Sequence, residues 1–149
     1  MTQPTPLLPM KNPWHLWLVG VLAVLWNAIG AFDYLMTETR NASYLSAFTA
    51  EQIAYFNNIP KWSIATWAIG VWGGLLGGVL ILLRKRMATP VLAVSLVSAA
   101  MTFFYNFVLS NGWQVMGGAA ALVMPAIVLI IAILLLLYAR QATRNGRLR

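Results

Sequence analysis

The sequence predicts an all-α fold, an integral membrane bundle of four transmembrane helices with a short amphipathic helix in the first extracytoplasmic loop. Three observations carry that expectation. Of 149 residues, 60% are hydrophobic and only 9% charged, whereas a soluble domain carries roughly 25% charged and about 45–50% apolar residues. Four apolar stretches, residues 14–35, 62–83, 90–109 and 115–138, reach the roughly 20 residues that a helix needs to cross a hydrocarbon core about 30 Å thick. No segment alternates apolar and polar residues with period two, as the strands of a membrane barrel would.

Composition narrows the function classes further. With no cysteine, a disulfide scaffold, a thiolate metal site and thiol–disulfide chemistry are excluded. Seven tryptophans are far too many for a disordered chain. The expected organisation is a cytoplasmic tail over residues 1–13, a transmembrane domain over 14–138 with an outer loop at 36–61, and a basic cytoplasmic tail over 139–149. The single Lys11 before the first apolar stretch, the length of that stretch and the lack of a small-residue cleavage site predict that it is retained rather than removed as a signal peptide.

Orientation follows from the basic residues, which cytoplasmic flanks retain. One side of a four-span chain holds Lys11, Arg84, Lys85, Arg86, Arg140, Arg144, Arg147 and Arg149, and the other holds Arg40 and Lys61. Eight against two predicts that both termini are cytoplasmic, in the inner membrane of a bacterium. Trp14, Trp17 and Tyr138 then fall at the inner interface and Trp62 and Trp113 at the outer one, as an aromatic belt requires. The net charge of +7 is thus read as a topology signal, with attraction to anionic inner-leaflet lipid as a secondary effect. Nucleic acid is not an expected partner.

In helix one, Asn27 lies near mid-depth. Asp33 and Tyr34 lie near the outer end, about 13 Å from the midplane for Asp33 at 1.5 Å per residue. Helix two carries Gly70, Gly73, Gly74, Gly77 and Gly78. The 73/77 and 74/78 pairs make a flat face for close approach of another helix, inside the bundle or across an oligomer or membrane-complex interface. In helix three, Ser95, Ser98, Thr102 and Asn106 are spaced three, four and four residues apart and share one face, with Asn106 about 10 Å outward. The start of this helix repeats the Val21–Val24 tetrapeptide as Val91–Val94, as a direct duplication of helix pairs would. Helix four has no polar side chain from Leu122 to Leu137 and is expected to face lipid over much of its surface.

Polar groups are costly in lipid, so their placement is informative. Asp33, Tyr34, Ser63, Thr66, Tyr105 and Asn106 come to one depth from three helices, and of these Asp33, Tyr34, Thr66, Tyr105 and Asn106, with Asn27, are the candidate binding residues of an outer-half polar cavity. The alternative is that Asp33 reaches out to the interface while the hydroxyls bond their own helices. Trp26 and Trp72 lie near mid-depth, either flooring such a cavity or packing in the core. In the outer loop, Thr49 and Gln52 form a capping-box pattern, with Phe48 and Ile53 at staple positions. A short helix is therefore expected from residue 50 to about 57, serving as a lid or as an interfacial segment.

Catalytic and metal signatures do not appear. The single His15 cannot build a zinc or di-iron site, and no phosphate loop, nucleophile elbow or paired carboxylates accompany it. No cofactor is expected, and a non-enzymatic role is. The residues Trp26-Asn27-Ala-Ile-Gly30-Ala-Phe-Asp33-Tyr34-Leu-Met-Thr37, with Phe48-Thr49-Ala-Glu51-Gln52 and Trp72-Gly73-Gly74, resemble small, uncharacterised four-helix inner-membrane proteins of proteobacteria, some automatically labelled as sugar transporters. The resemblance covers helices one and two and the loop between them, and it implies no site residues. The leading expectation is binding or passage of a small polar solute, as an oligomer. An accessory subunit of a membrane complex is the alternative, and an enzyme acting on lipid or quinone is the third.

Overall fold

The computed structural model describes residues 14–149, so the expected tail over residues 1–13 lies outside it. The described chain is all-α and contains four helices long and apolar enough to cross a membrane. They are α1 (Trp14–Glu38), α4 (Lys61–Leu82), α5 (Ala88–Phe104, continued by a π turn, Tyr105–Leu109) and α7 (Val123–Arg144, preceded by a 3-10 turn, Gly118–Leu122). Two short helices, α2 (Ala42–Leu45) and α3 (Ala50–Asn57), fill the first loop, and α6 (Gly112–Val115) follows the π turn. The protein is a multi-pass membrane bundle. The tight turn at Arg84 to Met87, with the end of α7, forms its basic end, and the long loop forms the other.

The glycines of α4 decide how the helices stack. This helix lies between α1 and α5, while α7 packs along α5. A Cβ at Gly78 would stand 3.0 Å from the backbone nitrogen of Val24 on α1, and one at Gly70 would touch the Ala99 backbone of α5 at 3.4 Å. Gly74 faces the Asn27 amide, Gly73 faces Ser95 and Gly77 faces Leu92. The glycine face is thus used twice within the chain, by α1 and by α5. A partner helix would have to meet the protein elsewhere.

Hydroxyls join the same seam. Ser95 Oγ donates to the Gly70 carbonyl across α4–α5 at 2.6 Å, and the Thr66 and Thr102 hydroxyls meet at 2.9 Å. Ser95, Ser98 and Thr102 are all buried. Apart from Asn106, which the π turn carries towards the loop, the polar face expected on helix three is the buried face that α5 turns into the seam. Trp72 is 42% exposed and points outward from the seam, so it floors nothing.

Three helix ends close in one way. After α1, Arg40 takes a left-handed φ of 52°, its N–H donates to the Thr37 carbonyl, and that of Asn41 to Met36. Arg84 does the same after α4, with a φ of 55° and bonds to Ile81 and, from Lys85, to Leu80. After α7 the left-handed residue is Gly146, the residue type that adopts this conformation without steric cost.

The expected basic tail is shorter and more ordered than its composition suggests. Helix α7 continues to Arg144, six residues beyond the expected end of the span. Beyond Gly146 the chain folds back, Arg149 N–H donating to the Arg84 carbonyl at 2.7 Å and Arg86 N–H to that of Arg149 at 3.1 Å. Leu148 is fully buried among Leu16, Ile81, Leu92, Leu136 and Ala139, because an apolar side chain between two arginines gains from that burial. His15 Nδ1 meets the Tyr138 hydroxyl at 2.8 Å, tying α1 to α7 at this end. The other half of α7 is different, since its buried residues begin only at Leu136.

Candidate functional site at the loop end of the bundle

The loop between α1 and α4 is folded onto the ends of the helices. Asn41 caps α2 by accepting from Tyr44 N–H. Thr49 caps α3, with both arms of the capping box made by Thr49 and Gln52, as the sequence predicts. Phe48 packs edge-on against Phe56 at 5.3 Å and in a tilted arrangement against Tyr44 at 5.7 Å, so an aromatic row holds the two short helices together.

Two tyrosines fasten this loop to the bundle. Tyr44 donates its hydroxyl to Asp33 Oδ1 at 2.5 Å. Tyr55 donates to Asn106 Oδ1 at 2.6 Å and lies 2.8 Å from Ser110 Oγ. Ser110 in turn donates to the Asn106 carbonyl and accepts from Gly112 N–H. The π turn carries Asn106, and Gly112 passes so close that any Cβ there would fall 2.5 Å from the Tyr55 hydroxyl. Gln52 adds a bond to the Val115 carbonyl at 3.3 Å.

The residues expected to share one cavity are instead engaged in separate contacts. Asp33 pairs with Tyr44, Thr66 with Thr102, and Asn106 with Tyr55. Tyr34 packs edge-on against Trp67 at 5.1 Å and Tyr105 against Trp62 at 5.3 Å. Asn27 donates back to the Ala23 carbonyl of its own helix. Ser63 is buried and its hydroxyl has no partner. An open groove of about 500 Å³ lies on the loop side of the Asp33–Tyr44 pair, lined by Phe32, Met36, Asn41, Ser43, Tyr44 and Phe48. A smaller cavity of about 70 Å³ is lined by Glu38, Arg40 and Ile64 among others. Neither is lined by Asn27, Asp33, Tyr34, Thr66, Tyr105 or Asn106; Asp33 stands behind the groove wall as the partner of Tyr44.

Sequence reasoning missed Tyr44, Tyr55, Ser110 and Gly112. Tyr44 counts as an apolar loop residue when only composition is considered, and its hydroxyl matters only once the loop is docked. The signal for Tyr55 was its place on a capped eight-residue helix with Gln52, one turn earlier, facing the same neighbour.

Burial, and then the Asp33 carboxylate that accepts its proton, push the Tyr44 phenol from 10.0 up to about 12. Because the folded value lies above the unfolded one, the contribution of this contact is complete below pH 10 and is lost as pH rises through about 12. Tyrosinate absorbance should show a late step near that pH, missing from Tyr44→Phe. Superimposable titrations would contradict the assignment. Burial also raises the Tyr55 phenol, so both fastenings keep their donor proton at neutral pH.

Among the described residues no three His, Asp or Glu side chains converge to hold a metal ion. The acids Asp33, Glu38 and Glu51 all lie at the loop end, whereas seven Lys and Arg residues, from Arg84 to Arg149, belong to the basic end. Comparison with known proteins finds no matching family model, no matching curated protein and no matching solved structure.

Proposed function

We propose that the chain is a non-enzymatic protein of the bacterial cytoplasmic membrane, with both termini cytoplasmic, that binds a small polar solute at its outward-facing loop end. The observation that carries this reading is Asp33. An acid near the end of a spanning helix is costly, yet this one is half-buried and held by a tyrosine of the overlying loop that itself lines an open groove. The excess of basic residues at the opposite end supports the orientation. The resemblance of helices one and two to proteobacterial inner-membrane proteins supports the location.

Thermal melting of the purified protein against sugars, amines and carboxylates tests this reading. One solute class should raise the melting temperature saturably. Asp33→Asn should melt within a few degrees of the wild type, because a buried charge is itself costly, and should bind that solute at least tenfold more weakly. An Asp33→Asn protein that binds every solute as the wild type does would overturn the role of this residue.

A second reading, an accessory subunit of a larger complex, is favoured by the outer half of α7, where no residue from Val123 to Leu135 is buried. Co-purification of one membrane protein at fixed stoichiometry, lost on replacing Ile130 or Leu134 by Trp, would select it.

A further inference from the structure

We infer that the groove beside Asp33 binds an organic cation, an alkylated ammonium group. This rests on the proposed solute site and names its ligand class. Three aromatic rings wall the groove, with Tyr44 in the middle. Phe32 stands at 6.0 Å from it with an interplanar angle of 87°, and Phe48 stands at 5.7 Å with an angle of 50°. Rings set at such different angles turn their faces in more than one direction, and each face carries the negative lobe of the ring quadrupole. Phe32 is 54% exposed, so its surface is available to a ligand. Met36 adds a polarizable thioether.

The charge balance matches. The Tyr44 hydroxyl donates to the Asp33 carboxylate, which makes its ring more electron-rich and places a formal negative charge behind it. Arg40, the nearest cation in sequence, lines the separate smaller cavity together with Glu38, and no Lys or Arg lines the groove. The polar side chains of the groove are Asn41, Ser43 and Tyr44. The Tyr44 hydroxyl is committed to Asp33 and Asn41 Oδ1 accepts from the Tyr44 N–H, which leaves the Asn41 amide N–H groups and the Ser43 hydroxyl for a sugar's many hydroxyls. An alkylammonium ion needs no hydrogen-bond partner. It needs aromatic faces and a nearby negative charge.

Such a cation comes either as a free solute or as the headgroup of a zwitterionic lipid, and one titration series distinguishes them. Choline chloride is titrated into the purified protein by calorimetry, beside the uncharged analogue in which carbon replaces the nitrogen. The expected result is saturable choline binding, with the analogue at least tenfold weaker. Phe48→Leu should weaken choline about two- to tenfold, the range of one cation–π contact. If that variant does not fold, Phe32→Leu at the exposed side of the groove provides the same test. In nanodiscs, choline binding weakened by phosphatidylcholine relative to phosphatidylglycerol identifies the headgroup as occupant, and equal binding identifies a free solute. Equal binding of choline and its analogue would overturn the inference, as would choline affinity unchanged in both ring variants. Stabilisation by a neutral or anionic solute with choline silent would overturn it while the proposed site stands. Silence towards every solute would remove both.

Discussion

Gly78→Leu is expected to be the most damaging single substitution along α4, lowering stability by about 3 kcal/mol, the upper part of the range for overpacking a close-packed site. The reason is what a new side chain would meet. At Gly78 the neighbours are backbone atoms of α1, the Val24 nitrogen at 3.0 Å and the Ala23 carbonyl carbon at 3.2 Å. Backbone cannot rotate away, so α1 and α4 must separate. At Gly77 the obstacle is the Leu92 side chain, from its Cγ outward, which can give way by changing rotamer where backbone cannot. Gly77→Leu should therefore cost less, about 1–2 kcal/mol within the same range. Melting of both variants in one detergent tests the ranking. Equal losses, or a greater loss at Gly77, would show that α1 does not approach α4 as closely as the glycines allow.

Tyr55→Phe should release the loop from the end of α5. It removes one hydroxyl that donates to Asn106 Oδ1 and also lies within hydrogen-bond distance of Ser110 Oγ, and leaves both partners half-buried. The expected loss is about 1–3 kcal/mol, the cost of stranding a polar group at such a site. The effect is local, since α1, α4 and α5 keep their seam. Proteolysis of the loop should accelerate while the helical bundle still melts near the wild-type temperature. Asn106→Ala should produce the same acceleration, and the double variant should add little, with a coupling in the range of about 0.5–3 kcal/mol. Additive effects would mean that Tyr55 and Asn106 are not partners.

Hydropathy and glycine spacing made the four spans and the close-packing face of α4 legible in the sequence, because both follow from local pattern. The capping box at Thr49 and Gln52 was equally plain. Side-chain partners were not, since a depth estimate places residues along the membrane normal and says nothing of rotation about the helix axis. Thr66 and Asn106 share a depth. Yet Thr66 faces Thr102 within the seam, whereas Asn106 lies in the π turn and faces the loop. The π turn itself has no composition signal. Leu148, between Arg147 and Arg149, reads as part of a charged tail until the α4–α5 turn is there to receive it.

The groove beside Asp33 is expected to open to the outside and to admit small polar molecules. Ser43 lines it and the chain has no cysteine, so Ser43→Cys supplies a single thiol there. Labelling of intact cells with a membrane-impermeant maleimide should modify that thiol rapidly, without permeabilisation. Labelling only after the cells are permeabilised would contradict the orientation, and no labelling in either state would contradict the open groove.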